Sequence, residues 1–342
     1  FAFDEGSIFL AGGMGSHFGG FAQVTYDGVD KSWAWDNLDM RLVNTGQIGG
    51  KELVYGLTLN NNPTIQDAWN STPGWGFPYT DSALLPGPSA SVFMSDGLAQ
   101  NVMGLSAYAW IDSHYYIEAG GYVSPSRGTL KWLGSDPYDP GNIHGIAPYG
   151  RIAWQGQLGG GTTEIGAFAM KTSIWPGRDR SSSFTDRHTD VGVDASWQRT
   201  LGSGDIVALN TRYTHEKLSL KGSCALGVLD GSIPGCASGS LNELRADASY
   251  YWHNKFGLTV SGFNLSGSSN AAFYEDNARP VPNSTGAVVQ IDATPWGDGS
   301  SPLGKLFNMR VGVQYTAFTK FDGTSSHASN NNSIRVFTWL AY

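Results

Sequence analysis

Charged side chains in this chain recur at alternate positions. In Glu243-x-Arg245-x-Asp247, acid and base share one parity with Ser249, while Leu244, Ala246, Ala248, Tyr250 and Trp252 hold the other. Side chains two apart on a strand point to the same side, so such a run sets opposite charges in a row on one face. The chemistry available to that row is ion pairing, hydration and a field acting on a passing solute. Bond-making chemistry finds no support, because the chain holds no G-x-S-x-G, no H-E-x-x-H, no Gly-rich phosphate loop and no C-x-x-C-H. No catalytic residue and no metal-ligand set is assigned. The histidines, His17, His114, His144, His188, His215, His253 and His327, are scattered, mostly at expected strand ends or turns. Asp136, Asp139 and Asn142 in GSDPYDPGN are oxygen ligands by type, but Asp-Pro turns produce that composition without a metal.

Two cysteines, Cys224 and Cys236, close a Gly/Ser/Pro-rich segment, CALGVLDGSIPGC. A lone pair of this kind reads as a disulfide formed in an oxidising compartment.

The elements that must carry the charged rows are strands. Val191, Val193, Ala195 and Trp197 oppose Asp190, Asp194, Ser196 and Gln198; Met309, Val311, Val313, Tyr315 and Ala317 oppose Arg310, Gln314, Thr316 and Lys320. This period of two recurs throughout and predicts strands ending near Gly12 and over 19–26, 33–44, 52–60, 101–111, 115–124, 147–158, 163–174, 187–201, 205–220, 239–253, 255–267, 285–296, 307–321 and 332–342. Short turns, as at Asp112-Ser113, 159–161, 202–204 and 253–255, alternate with longer loops near 62–98, 125–147, 175–187, 221–239, 270–284 and 323–331. Short turns at one end and long loops at the other describe an all-β, antiparallel, up-and-down transmembrane β-barrel in a bacterial outer membrane.

Composition agrees. Only 15% of the 342 residues are charged, and there are 46 Gly, 12 Trp, 15 Tyr and 16 Phe. No run approaches the roughly 18 apolar residues of a membrane helix, and a mean hydropathy of -0.23 is what alternating walls average to. A net charge of -8 with no basic stripe excludes nucleic acid as a partner. The expected surroundings are the lipid bilayer and lipopolysaccharide of a Gram-negative cell.

A charge facing hydrocarbon costs about 2–4 kcal/mol near the midplane, so the charged parity must line the interior. The expected lumen-lining residues are Asp39, Arg41, Glu52, Glu118, Arg151, Glu164, Asp190, Asp194, Arg212, Glu243, Arg245, Asp247, Asp292, Arg310, Lys320 and Arg335. Neither sign dominates, so the wall is either a set of compensating pairs or a constriction with an acidic and a basic side. Tyr26, Trp154, Trp197, Tyr213, Tyr250, Trp252 and Trp296 suit interfacial girdles. The loop 62–98 carries Trp69, Trp75, Phe77 and Tyr79, too many aromatics for a solvated loop; it is expected to fold into the barrel as a plug, with packing over the mouth as the other option.

The chain ends NSIRVFTWLAY, an alternating strand closing on an aromatic residue, as outer-membrane barrels do as a class. Fifteen strands counted back from a periplasmic Tyr342 start the first at the outer surface. Single-chain bacterial barrels have even strand numbers. The expectation is therefore a parent chain of about 16 strands, with one more strand upstream of Phe1.

Several segments resemble the barrel portion of fused cytochrome–porin proteins, outer-membrane proteins associated with the oxidation of extracellular ferrous iron. They are FGGFAQVTYDGV with WAWDNLDMRLV, GLTLNNNPTIQDAWNSTPGWGFPY, GLAQNVMGLSAYAW and PGRDRSSSFTDRHTDVGVDASWQ, and the NNNPT-x-QD-x-WN run is the most specific. The resemblance implies a conduit that passes electrons across the outer membrane, with a c-type cytochrome as partner. In that family a segment carrying C-x-x-C-H precedes the barrel. No cofactor is expected within this chain, and haem c, with any redox activity, is expected in a segment upstream of Phe1. The alternative is a passive diffusion channel for small hydrophilic solutes.

Overall fold

A computed structural model describes residues 5–65, 67–71, 82, 84–95, 97–304 and 307–341. Sixteen strands form one antiparallel sheet: β1 (Glu5–Met14), β2 (Phe18–Asp27), β3 (Ser32–Ile48), β4 (Lys51–Asn60), β5 (Met103–Ile111), β6 (Tyr115–Val123), β7 (Gly141–Ile143), β8 (Ala147–Leu158), β9 (Gly161–Pro176), β10 (Asp186–Thr200), β11 (Ile206–Leu220), β12 (Ser238–Trp252), β13 (Phe256–Gly267), β14 (Ser284–Ala293), β15 (Asn308–Lys320) and β16 (Ser333–Ala341). Each pairs with the next in sequence, except that β7 is a three-residue addition to β9 and β6 pairs β8 directly. Fifteen strands therefore make the path. They match the fifteen read from alternation to within a few residues, except that Trp296 lies beyond the end of β14, in a loop against Phe307.

The turns at one end are tight because their residues tolerate left-handed backbone. Gly49-Gly50 and Gly159-Gly160 each carry two positive φ angles, and Asp112-Ser113 and His253-Asn254 do the same without glycine. Successive positive φ angles give a turn whose twist matches that of the flanking strands. No helix is long and apolar enough to cross a membrane, which says nothing about strands.

The faces separate by physics as well as by parity. Val191, Val193, Leu244, Val260, Ile291, Val313, Ile334 and Val336 are exposed on the outer face, whereas Asp190, Asp194, Arg212, Glu243, Gln290 and Asp292 are buried on the inner one. Such an inversion of the soluble pattern is stable only against lipid.

Among the described residues no ladder joins β1 to β16, so the sheet is not closed by backbone pairing. Its edges face each other through side chains there, with the Phe9 and Trp339 rings 6.5 Å apart. One expectation changes, at Lys320. A register shift sets Phe318 opposite Gly286 but Lys320 opposite Thr285. Thr319 is thus an extra residue in β15, a bulge that reverses parity beyond it. Lys320 consequently shares the outer face of Thr285 near the long-loop end and leaves the lumen-lining set.

Candidate functional site

The β4–β5 connection, 61–102, builds the interior. Its first residues form a polar elbow: Asn61 accepts from Leu38 N at 2.7 Å and donates to Asp36 O at 2.5 Å. Asn62 accepts from the amide (3.0 Å) and hydroxyl (2.9 Å) of Thr64. Asp67 then collects Trp69 N, Ser71 N and Ser71 Oγ at 3.1, 2.7 and 2.6 Å. Trp69 donates through Nε1 to Gln155 at 2.8 Å and packs edge-on against Trp110 and Tyr116. Trp110 is one residue from the short-turn end of β5, so this limb reaches nearly the whole depth of the sheet. Trp75, Phe77 and Tyr79 lie outside the described residues.

The returning limb packs higher, toward the long loops. Ser89 donates to Asp322 through both N and Oγ at 3.0 Å. Val92 is buried against Leu241 and Leu265. Met94, Leu98 and Val102 are buried with Tyr122, Tyr149, Phe168, Met170 and Ile174. The loop is therefore the hydrophobic centre of a molecule whose outer face is apolar.

The charged residues form separate groups in which acid and base are interleaved. Arg151 donates to Asp194 Oδ2 and Oδ1 at 2.8 and 2.7 Å and to Glu164 at 2.9 Å, with Asp67 of the loop at 3.7 Å and the Trp69 ring at 5.4 Å. Arg212 pairs with Glu243, which also takes Arg245 at 3.1 Å, while Asp247 accepts from Asn210 at 2.9 Å. Arg310 holds Asp292 through Nε and Nη2, both at 3.0 Å. Arg41 meets Asp39 at 2.8 Å, and Tyr116 donates to Glu118 at 2.7 Å. Asp190 is buried opposite Glu216. Arg335 faces Gln314 across β15 and β16, and Glu52 is exposed opposite Gln47 at the short-turn end. Apart from the Asp190–Glu216 site, these are compensating groups rather than an acidic wall facing a basic one.

The expected lumen set omits Asp67, Glu216 and His188. Glu216 shares parity with Arg212 on β11, so the rule that selected Arg212 also reaches it. His188 is the third residue of β10, among histidines expected mostly at strand ends or turns; its burial depends on the inserted loop, which no local pattern reveals.

Between the loop and β8–β16 lies a cavity of about 1160 Å³. It extends from Gly160–Thr162 and Tyr251, near the short turns, to Phe318 and Ser333, near the long loops. Arg245 and Asp247 line it from β12, and Gln314 and Thr316 line it from β15. No His, Met or Cys lines this space among the described residues. Those are the side chains that commonly ligate haem iron or anchor haem c, so this wall does not fit a haem held by the chain's own side chains.

At the long-loop end, Cys224 and Cys236 are joined, with Cα atoms 6.3 Å apart. Asn270 donates to the carbonyls of Cys236 (2.9 Å) and Ser238 (3.1 Å), tying the β13–β14 loop to the disulfide loop. Asn142, one of the Asp-Pro loop oxygens, accepts instead from Arg178 at 3.1 Å. In this loop burial lowers the Arg178 guanidinium, with Arg127 and Arg180 adding to the effect. At the opposite end, Ser203, Tyr250 and the His253 amide hold the Asp205 carboxyl below the usual carboxylate range.

An up-and-down sheet with an apolar outer belt, a charged interior, tight turns at one end and long loops at the other is the architecture of an outer-membrane β-barrel. No family model and no curated protein matches the chain. Among solved structures it is similar to a loop-deletion form of OmpT, an outer-membrane protein of Vibrio cholerae, at 9% identity and TM-score 0.47, covering 98% of this chain and 90% of that one. It is also similar to an anion-selective porin from Comamonas acidovorans, at 10% identity and TM-score 0.47, covering 92% and 78%.

Proposed function

We propose that this chain is a porin-like outer-membrane barrel whose off-axis passage admits small hydrophilic solutes. One observation carries the reading: the inserted loop leaves a cavity of mixed polar and apolar lining, with Arg245, Asp247 and Gln314 on its wall, running from near the short turns to near the long loops. Purified protein in a planar bilayer is expected to give discrete ohmic conductance steps. Insertion without conductance would count against the passage.

A second reading is the conduit part of a cytochrome–porin. It is favoured by where the resembling residues lie, since NNNPT-x-QD-x-WN is the segment that enters the lumen and meets Arg151 and Gln155. In that reading this chain is the sheath, and haem ligands come from another polypeptide segment, because the cavity wall offers none. A Soret band in protein purified from its native source, together with an intact mass above that of this chain, supports the conduit. Colourless native protein that conducts ions leaves the plain channel.

A further inference from the structure

The inserted loop is held to the wall by a group that contains no permanent cation. Phe93 N donates to Glu216 Oε2 at 2.9 Å, and the Phe93 ring stacks on His188 at 3.9 Å. His188 Nδ1 lies 2.6 Å from Glu216 Oε1. Asp190 sits directly across from Glu216 in the β10–β11 ladder and is 0% exposed, and neither of its carboxyl oxygens has a side-chain partner.

The surroundings offer no counter-charge. Across β9, Met170 faces Asp190 and Thr172 faces His188. Across β12, Leu241 faces Glu216, with Glu243 two residues on and already paired with Arg212. Asp186 is taken by Ser223, and Lys171, Arg187 and Lys217 occupy the opposite parity of their strands. Tyr274 approaches from the β13–β14 loop, its phenol pushed up by burial and then by Glu216, so it stays neutral. Asp96 of the inserted loop lies outside the described residues.

We propose that Asp190 and Glu216, with His188 beside them, form a proton-dependent latch that keeps residues 92–95 of the loop docked on the wall and releases them as pH rises. Two carboxylates facing each other in a dry site cannot both ionise cheaply. The docked state therefore retains a proton on the carboxyl pair that the water-filled, undocked state does not need. Linkage sets the sign: a state that binds more protons is favoured at low pH and weakens as pH rises. For one proton the docked-to-undocked ratio falls by up to about tenfold per pH unit. The latch does not depend on what the passage carries.

The test is thiol labelling of Val92→Cys, since Val92 is 0% exposed while the loop is docked. Leu84→Cys, at a site 58% exposed, corrects for the pH dependence of thiolate reactivity. Corrected labelling of the folded protein in liposomes is expected to rise steeply with pH in otherwise wild-type protein. It should stay flat when Asp190→Asn is added, because the amide cannot ionise. Glu216→Gln serves as the second variant and decides the matter if the first does not fold. Flat labelling in the parent, or an unchanged slope in a folded neutral variant, overturns the latch. Conductance is read separately, so a silent channel with pH-dependent labelling removes the passage and leaves the latch.

Discussion

A charge moved along the outer face measures where the bilayer lies. Val193 is the eighth of fifteen residues in β10 and is 55% exposed on the outer face. At about 3.4 Å per residue it is about 24 Å along the strand from either end, and a tilt near 40° converts that to about 18 Å along the normal. The strand's span of about 36 Å exceeds an apolar band about 25 Å tall by about 11 Å, so Val193 falls within about 6 Å of the midplane. Leu158 is also exposed outward but is the last residue of β8, beside the Gly159-Gly160 turn. Val193→Arg should therefore cost about 2–4 kcal/mol and Leu158→Arg about 0–1. The difference, about 2–3 kcal/mol, is roughly 30- to 150-fold in the folding equilibrium. Reversible denaturant titrations in thin-bilayer vesicles, followed by tryptophan fluorescence, read both variants against the parent. Equal costs at the two sites would show that the exposed parity does not face hydrocarbon.

Arg151→Met leaves Asp194 and Glu164 without their cation at sites about 1% exposed, and a loss of about 3–5 kcal/mol is expected in the same titration. A loss under about 1 kcal/mol would mean that the carboxyl groups find other partners. Cys224→Ser should assemble normally, because the disulfide closes only the β11–β12 loop, yet that loop should be cleaved faster by added protease; unchanged cleavage means that Asn270 and its neighbours hold the loop without the bond. Asp205 joins the β10–β11 and β12–β13 turns by accepting from the Tyr250 hydroxyl and the His253 amide. Its carboxyl titrates below the usual range, so the tie is intact above the ordinary carboxylate pKa and lost as pH falls through the lowered one. Protection of the His253 amide, taken relative to its intrinsic exchange rate at each pH, should accordingly fall only in strong acid, or at neutral pH in Asp205→Ala, and equal protection in that variant would refute the tie.

Alternation is a local property with a period of two, so every path strand, the outward set around Val193 and Leu244, and the inward set around Arg245 and Asp247 could be read without a structure. The cysteine pair was equally legible, because a separation of twelve positions in a Gly/Ser/Pro-rich loop leaves its members near each other. What tertiary structure decided is set by register and by contacts between distant segments. Arg151 meets Asp194 and Glu164 only through the β8–β9–β10 register, and Asp67 only because the loop turns inward. One bulge at Thr319 placed Lys320 outside, a change that parity counting carries no signal for. His188 became a buried group because Phe93 covers it. The sequence by itself thus determined which residues alternate across a wall. The fold decided which of them share a charge, since that requires a register between strands and a loop whose path no single segment encodes.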